Sequence, residues 1–546
     1  MLQDQKCVAE TLELIQNCTE AIEYFVNQDR PSLSDPLVSD LDQGLKLLHR
    51  LSQGFEIEMP TIKFVTTVEN IQFSTLEALK KSNAHRLQFE TLPLLQEYYY
   101  MLYYWGTIYP DKEKIDWFMN NKVQQLCSNH YINEAERSGS YKYELSIAVL
   151  AFNKSDYTKL CVQSVLDTVP KNLSYELILI NHGSTDDTQQ YFESVQPDKI
   201  LQLYRNNGNY NVLHRITEGK YAMAISNDVV MLPNAIENMV RLAKEEKKAA
   251  YIVASTPNIS NLQTIQAQYN SFEQMQQFGN QNNQYDPYRH EQRVRLCNPM
   301  TLIQSAYEYS IEKGLFTERY AYSSDFNSFG DDKLSLLYRR NGLKCILAKD
   351  AYCHHFGSVT IRDEVQKKNE QQYYSQGIKA FKEAFGVDPW GIGFCYDINL
   401  MEALDYSLDG HINVLGINCG LGSNPLKIKE IYKENRHNLD VSVYNATDNE
   451  SVIKDLEGIS DSVSLVGKYQ QIKDIFDGMQ FHYIIVEDEF LQNIDVERFL
   501  KICLGRLATG GTLIIKCYKN EIEKTSVKNY SLRQVTDWNV LGPITR

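Results

Sequence analysis

The sequence predicts an α/β protein in which two strand-and-helix domains follow a helical N-terminal module. The first observation is that apolar runs of strand length alternate with helix-period stretches after about residue 140. The second is that this alternation restarts near residue 396, and the third is that the residues before 140 carry only helical periodicity. We therefore divide the chain into a helical module (1–140), a first α/β domain (141–365), a connecting helix (366–395), a second α/β domain (396–520) and a tail (521–546).

Length and composition exclude several classes of function. A chain of 546 residues with 43% hydrophobic residues can form about three folded domains. Its net charge of −15 argues against a nucleic-acid partner and against an anionic membrane surface. The 11 cysteines are scattered without a Cys-x-x-Cys pair, as is typical of reduced thiols. With no signal-peptide pattern and no apolar run of about 18 residues, we expect a soluble, cytoplasmic protein without an integral membrane segment.

The N-terminal module is predicted from one apolar stripe. Its members recur at three- and four-residue spacing, which places them on one helix face: Val8, Leu12, Ile15, Cys18, Ile22 and Phe25. Further helices are predicted over 41–51, 76–81 and 92–109. No residue of this module indicates chemistry.

Four predicted strands follow, and polar side chains stand where they end. The strands cover 144–152, 175–180, 200–204 and 221–226, and their alternation with helices predicts parallel, right-handed crossovers. The helix after the first strand has four apolar positions, Leu160, Val162, Val165 and Leu166. Asp228 follows the last strand, at the sheet edge where α/β folds bind ligands. A turn aspartate that caps the next helix is the alternative.

A later stretch, 263–293, is dense in Gln, Asn and Tyr. This composition predicts a long surface loop, either simply solvated or acting as a lid over an acceptor site.

The order of these pieces resembles the inverting family 2 glycosyltransferases, which have the GT-A fold. The matching segments are 146–153, 176–188, 206–219 and 221–233. A further set also matches, namely Gly330-Asp331-Asp332 at a helix start, Arg339-Arg340-Asn341-Gly342 at its end, and His354-His355-Phe356-Gly357. The resemblance covers about 220 residues and implies a nucleotide-sugar donor, with a UDP-sugar expected.

The resemblance implies a metal site at Asp228. Mn²⁺ or Mg²⁺ held there would neutralise the departing diphosphate, and His354 or His355 would add a nitrogen ligand or contact phosphate. Asn227 precedes Asp228 where the family commonly has further acids, so one carboxylate remains. Structural histidines are the alternative interpretation.

The resemblance also assigns a base. Asp331 takes the position of the carboxylate that deprotonates the acceptor hydroxyl, with Asp332 as its neighbour. Gly330 stands where the family usually has another acid. Read without the family, both acids would simply be favoured at a helix N-terminus by the helix dipole.

Recognition of the nucleotide is expected at the strand ends. Asn181 replaces an aspartate that commonly binds the uracil ring, and its amide can both donate and accept hydrogen bonds. Arg215 could contact the diphosphate, with a surface arginine as the equal alternative. The full set expected to bind the nucleotide sugar is Ala151, Asn153, Asn181, Gly183, Arg215, Asn227 and Asp228.

The C-terminal α/β domain is similar to Rossmann-like, S-adenosylmethionine-dependent methyltransferases. Gly416 and Asn418 replace an acid and a glycine of the cofactor turn, and Asn445 stands where a ribose-binding acid is expected. We therefore predict a degenerate domain that does not bind S-adenosylmethionine and that serves docking, homo-oligomerisation or acceptor recognition.

These expectations combine into one functional hypothesis and two rivals. The hypothesis is a metal-dependent, inverting hexosyltransferase that uses UDP-N-acetylglucosamine or UDP-glucose and forms a β-linked product. The resemblance to bacterial enzymes of this layout suggests a protein acceptor such as flagellin, or a surface glycan. The rivals are a bifunctional glycosyltransferase and methyltransferase, and a non-enzymatic scaffold or binding protein.

Overall fold

The computed structural model describes most of the chain. The described residues are 5–28, 31–58, 64–103, 106–107, 110–111, 113–114, 141–203, 216–304, 329–340, 342–357, 370–436, 440–488, 495–516 and 530–543.

The N-terminal part consists of packed helices. They are α1 (Gln5–Val26), α2 (Leu37–Glu58), α3 (Phe64–Lys80) and α4 (Leu92–Tyr103), the last preceded by the helical turns Ala84–Arg86 and Leu87–Thr91. The stripe predicted in α1 is buried at all positions except Leu12, which is partly exposed. Of the helix predicted over 92–109, the described part is helical to Tyr103, and residues 104–105 and 108–109 lie outside the described residues.

The central part is built on a mixed sheet. Its strands are β1 (Tyr143–Ala151), β2 (Tyr175–Asn181), β3 (Lys199–Gln202), β4 (Gly219–Ser226), β6 (Ala249–Ser255), β7 (His290–Gln292), β8 (Met300–Gln304) and β9 (Lys344–Tyr352). Their order is β3-β2-β1-β4-β8-β6-β9-β7. The four strands β3, β2, β1 and β4 run parallel, as the sequence predicts, and β8 enters antiparallel between β4 and β6.

Helices and one small ribbon complete this part. The helices are α5 (Ser155–Thr168), α6 (Thr188–Val195), α7 (Ala235–Glu245), α8 (Phe272–Asn282) and α9 (Gly330–Arg340). The ribbon pairs β5 (Val229–Val230) with β10 (His354–His355). In α5, Val162 and Val165 are buried, but Leu160 and Leu166 are exposed, which corrects the apolar face predicted for this helix.

The polar stretch 263–293 is not the long loop that its composition predicts. It contains α8, a short 3-10 turn at Pro287–Arg289 and strand β7, which pairs with β9. Asn282 and Asn283 bond to backbone carbonyls of Lys349, Pro233 and Tyr352, so amide side chains here satisfy the backbone.

The C-terminal part has a second sheet of order β13-β12-β11-β14-β15-β17-β16. Its strands are β11 (Ile412–Ile417), β12 (Val441–Thr447), β13 (Ser462–Leu465), β14 (Phe481–Val486), β15 (Leu507–Ile515), β16 (Tyr530–Val535) and β17 (Trp538–Pro543). Its helices, with the helix that precedes them, are α10 (Glu370–Phe385), α11 (Ile398–Ala403), α12 (Ser423–Glu434), α13 (Ile453–Glu457) and α14 (Val496–Gly505).

The structure corrects the predicted boundary between the C-terminal domain and the tail. Residues 530–543 form the hairpin β16–β17, and β17 pairs antiparallel with β15. Trp538 is fully buried, so this hairpin belongs to the C-terminal core rather than to a tail beyond residue 520. In the described part of the chain, no helix has the length and apolarity needed to cross a membrane.

Buried ion pairs join the central part of the chain to the C-terminal part. Asp455 on α13 accepts hydrogen bonds from Arg339 at 2.5 Å and Arg340 at 2.7 Å, both at the end of α9. Glu291 on β7 lies within 3.2 Å of three cations, those of Arg293, Lys349 and Lys427. Burial alone would raise the pKa of Glu291, but the three cations hold it well below its usual range.

Candidate active site

The described members of the predicted nucleotide-binding set lie at the carboxyl edge of the central sheet. Ala151 is the register partner of Asn181, because β1 and β2 run parallel. The amide of His182 donates to the carbonyl of Ala151 at 2.8 Å. On the other side of β1, the amide of Asn227 donates to the carbonyl of Leu150 at 3.1 Å. The ends of β1, β2 and β4 therefore lie side by side, as the topology predicts.

The loops after β1 and β2 brace each other. Asn153 has a positive φ of 54°, which asparagine tolerates in tight turns. Its side-chain oxygen accepts from the amide of Thr185 at 2.8 Å, and its own amide donates to the hydroxyl of Ser184 at 2.8 Å. Asn227 donates to the carbonyl of Asn153 at 3.0 Å. Gly183 also has a positive φ, 79°, where a side chain would be strained.

The side chain of Asn181 is not placed as expected for a residue that hydrogen-bonds to the uracil base. Its side-chain oxygen accepts from the amide of Ser184 at 2.8 Å, and its side-chain nitrogen donates to Gln189 at 2.9 Å. Because the buried amide is already bonded to protein at both ends, it shapes the loop, and this geometry does not favour a direct contact with uracil. Arg215 lies outside the described residues.

Asp228 is buried beside one histidine. Its carboxylate lies 3.3 Å from Nε2 of His355, and its carbonyl accepts from the amide of Phe356 at 3.0 Å. Nδ1 of His355 lies 2.7 Å from the carbonyl of Asn258, so this nitrogen carries a proton. Burial acts to lower the pKa of His355, but the hydrogen bond and charge of Asp228 outweigh it and the pKa is raised.

His354 belongs to a different cluster. Neighbouring residues of a strand point to opposite sides, and Nδ1 of His354 lies 2.5 Å from the hydroxyl of Tyr269. That hydroxyl lies 2.9 Å from the hydroxyl of Tyr352. Burial lowers the pKa of His354, with His355 adding to the effect. The structure therefore brings His355, but not His354, to the carboxylate of Asp228.

The residues at Asp228 fit a divalent cation only as a partial ligand set. One carboxylate oxygen and one imidazole nitrogen are present, and both are ligand types that Mn²⁺ accepts. Within the described ranges, no group of three or more His, Cys, Asp and Glu side chains could hold a metal ion. Other ligands would have to come from the donor's diphosphate and from water.

Asp331 lies in the first turn of α9, next to the end of β4. Its carboxylate accepts from the amide of Asn298 at 3.1 Å. The next residue, Pro299, accepts through its carbonyl from the amide of Ser226 at 3.0 Å. The strand β8 that follows is antiparallel to β4, so this contact places Asp331 at the same edge as Asp228.

The environment of Asp331 suits a base. Enclosure of its carboxyl raises the pKa to about 7, and the negative charge of Asp332 adds to this effect. The Asn298 amide and Arg295 oppose the rise without cancelling it. A carboxyl that titrates near neutrality can accept a proton from a hydroxyl group far better than an ordinary aspartate.

Arg295 is the functional candidate that the sequence analysis did not identify. It forms a buried, two-nitrogen ion pair with Asp332, and its Nη2 lies 3.3 Å from Oδ2 of that residue. This pairing distinguishes the two acids of α9, since the carboxylate of Asp332 is bound to a guanidinium and that of Asp331 accepts from a backbone amide. Arg295 lies two residues after the polar stretch 263–293, and its i, i+2 spacing from Arg293 was its sole sequence signal.

Comparisons with known proteins find similarity over part of this region. Residues 146–305 match the family described as Glycosyl transferase family 2, over less than a third of the chain. An uncharacterized glycosyltransferase of Rickettsia prowazekii is 33% identical over 106 residues, covering 19% of this chain and 32% of that protein. The UDP-Glc:alpha-D-GlcNAc-diphosphoundecaprenol beta-1,3-glucosyltransferase WfaP of Escherichia coli is 27% identical over 108 residues, covering 19% of this chain and 42% of that protein. The chain thus spans less than half the length of these relatives.

Solved structures show weaker likeness. The mannosyltransferase PcManGT from Pyrobaculum calidifontis, in complex with GDP-Man and Mn²⁺, is 12% identical with a TM-score of 0.31, covering 44% of this chain and 65% of that chain. At this level of similarity the match carries no argument about donor or metal. The sequence comparisons do bear on enzyme class: residues 146–305 are similar to the Glycosyl transferase family 2 domain, and the relatives that match this region are named as glycosyltransferases.

Proposed function

We propose that the chain is an inverting glycosyltransferase that moves a sugar from a UDP-sugar to a hydroxyl group of its acceptor. The observation that carries the proposal is the carboxyl of Asp331, whose pKa is raised to about 7 and which the Asn298 amide holds near the end of β4. A base beside the edge that binds the donor is what a direct displacement requires.

The reaction follows from these positions. Asp331 accepts the proton of the acceptor hydroxyl while the oxygen of that hydroxyl bonds to the anomeric carbon of the donor. The bond between that carbon and the diphosphate oxygen breaks, and the diphosphate leaves with the electron pair. Because one displacement inverts the anomeric centre, an α-linked donor gives a β-linked product. Asp332 does not serve as base, because Arg295 pairs with it.

The diphosphate is expected at Asp228 and His355. A divalent cation, Mn²⁺ or Mg²⁺, would neutralise charge on the leaving group when bound there. The chain's own contribution is a buried carboxylate held 3.3 Å from an imidazole nitrogen, so two candidate ligand atoms already lie next to each other. The braced loops at Asn153 and Gly183 would shape the nucleoside pocket.

The donor and acceptor are proposed with different support. The Escherichia coli relative carries UDP-glucose in its name, which supports UDP-glucose beside UDP-N-acetylglucosamine as the donor. The same name gives a lipid-diphosphate-linked GlcNAc as that protein's acceptor, which supports the surface-glycan alternative. A protein acceptor such as flagellin rests on the resemblance of the overall layout alone.

The test is donor turnover by the purified chain. A panel of UDP-, GDP- and dTDP-sugars is incubated with Mn²⁺ or with EDTA, and the released nucleoside diphosphate is measured. We expect one UDP-sugar to be hydrolysed slowly, with the rate lost in EDTA and in Asp228→Ala. Asp474→Asn, at an exposed carboxylate far along the chain, is the matched control and should behave as wild type. Absence of turnover and of donor binding across the panel would favour the scaffold.

A further inference from the structure

The C-terminal sheet has a crevice where ligands of such folds usually bind. Its strand order reverses at β11, which lies between β12 and β14, and all three strands run parallel. Parallel sheets bind ligands outside the carboxyl ends of the strands at this reversal. The turn 418–422, Asn424 in the first turn of α12, and Glu487 after β14 border the crevice.

The chain itself fills this crevice with residues 391–397, which we name the docking segment. The amide of Leu421 donates to the carbonyl of Ile392 at 2.9 Å, and the amide of Ser423 donates to the carbonyl of Gly393 at 3.1 Å. Ser423 is the first residue of α12, so its amide is one that a helix N-terminus would otherwise offer to a bound ligand, and Leu421 lies in the turn just before it. The amide of Asp397 donates to Asn424 at 2.9 Å, and Asn424 donates to Glu487 at 3.0 Å.

The fit between the docking segment and the turn is backbone against backbone. Gly393 has a φ of +73°, and a Cβ there would lie 2.0 Å from the carbonyl oxygen of Cys419. Gly420, on the opposite side, has a φ of +54°, and its Cβ would lie 2.0 Å from the carbonyl oxygen of Ile392. Glycine is therefore needed on both sides of the contact. Such closeness indicates a dedicated contact rather than a loop that lies loosely over the turn.

Trp390, the residue immediately before the docking segment, reaches the candidate active site. The ring of Trp390 lies 4.8 Å from that of Phe329, the buried residue that precedes α9. The guanidinium of Arg295 lies 5.7 Å from the ring of Trp390 and 5.9 Å from the ring of Phe394. Trp390 thus touches both the start of the helix that carries Asp331 and the cation that pairs with Asp332.

We propose that the docking segment is the resident occupant of the C-terminal crevice and that Trp390 is a positioning residue for the base. Through Phe329 and the Arg295–Asp332 ion pair, Trp390 holds the first turn of α9 and with it Asp331. The inference rests on the proposed role of Asp331. It gives the C-terminal domain a function in the transfer reaction that needs no second cofactor.

The first experiment measures docking without any activity assay. Amide hydrogen exchange is followed at Leu421 and Ser423 in the wild-type chain and in Gly393→Ala. Because the added Cβ cannot fit, exchange should be about tenfold faster or more in the variant. Gly505→Ala is the matched control, since nothing lies within 4 Å of its Cβ position. Unprotected wild-type amides would overturn the docking, and so would saturable binding of S-adenosylmethionine by the wild-type chain in calorimetry.

The second experiment separates positioning from simple stabilisation. In Trp390→Ala, kcat for the transfer should fall about ten- to a hundredfold while KM for the donor changes less, because the base moves and the donor edge does not. Trp390→Phe keeps an aromatic contact with Phe329 and should recover most of kcat.

The pH profile of Trp390→Ala gives the decisive readout. The groups that act on Asp331 are Asp332, Lys333, Arg295, the Asn298 amide, Tyr251 and Cys297. Enclosure is the largest cause of the raised pKa, so opening the site should shift the acidic limb of the profile to lower pH. A merely destabilised enzyme would lose rate equally at all pH values.

The two proposals fail in distinguishable ways. If the wild-type chain turns over no donor, the proposed function fails, while the exchange comparison still decides the docking. If the wild type is active and Trp390→Ala keeps its kcat and pH profile, the positioning role is wrong although the transferase stands.

Discussion

In each of the two sheets, one enclosed acidic side chain lies at the edge formed by the carboxyl ends of the strands. The two side chains differ in what lies in front of them. Burial raises the pKa of Asp331, beside the central sheet, to about 7, and burial likewise raises the pKa of Glu487, after β14, to about 7. Asp331 is bonded to the Asn298 amide at the edge that carries Asp228. Glu487 accepts from Asn424, which in turn holds the docking segment. A perturbed pKa therefore does not by itself identify a catalytic group; what occupies the space in front of it does.

The largest expected effect sharpens this difference. Asp331→Asn should reduce donor turnover about 10²- to 10⁴-fold, because the amide cannot accept the acceptor's proton. Its oxygen can still accept from the Asn298 amide, so the fold should be kept. Glu487→Gln is the matched variant at the other edge, where the hydrogen bond from Asn424 also survives, and its turnover should stay within a few-fold of wild type. Equal losses in the two variants would contradict the comparison.

A second substitution breaks the connection between the two domains. Asp455→Ala leaves Arg339 buried without its carboxylate partner, and loss of one member of a buried pair costs about 3–5 kcal/mol. Urea denaturation should show this as a lower free energy of unfolding. The exposed pair Lys501–Glu497 supplies the control, since Glu497→Ala should change stability by less than about 1 kcal/mol. A small effect of Asp455→Ala would mean that this ion pair contributes little to the stability of the chain.

A third prediction divides the two neighbouring histidines. His355→Asn removes the imidazole beside Asp228, so the Mn²⁺ concentration for half-maximal turnover should rise about 10- to 100-fold. His354→Asn affects the cluster with Tyr269 instead and should leave the metal requirement near that of wild type. The measurement is turnover against Mn²⁺ concentration, and the reverse outcome would move the metal site to the Tyr269 side.

The smallest effect is the pH dependence. Below a pH of about 7 the rate should fall about tenfold per unit, because Asp331 becomes protonated. Stability should change in the opposite direction. The pKa of Asp331 is raised from the ordinary value of 3.8 to about 7 in the folded chain, so its contribution to stability is full below pH 3.8. This contribution is lost as the pH rises through 7. Denaturation from pH 4 to pH 8 should therefore show wild type losing more stability than Asp331→Asn.

Local patterns in the sequence were sufficient for the strands and for the edge that they form. The apolar runs before Asn153, Asn181 and Asp228 are strands in the structure, and parallel pairing brings their ends together. The reason is that burial on both faces of a parallel sheet requires near-continuous apolar runs, which can be read directly. The position of Asp331 at a helix start was predictable in the same way.

Contacts between residues distant in sequence could not be read from such patterns. The pairing of Arg295 with Asp332 spans 37 positions, and that of Asp455 with Arg339 spans 116. The hairpin at 530–543 was interpreted as a tail because it is polar on its exposed face, although Trp538 closes the C-terminal core.

The sequence by itself thus determined at which sheet edge Asn153, Asn181 and Asp228 would stand, because strand periodicity and strand ends are local properties. Only the tertiary structure decided which carboxyl pairs with an arginine, which histidine faces Asp228, and that residues 391–397 fill the second crevice. Those outcomes depend on burial and on charge partners from other elements, and burial is a property of the packed chain as a whole.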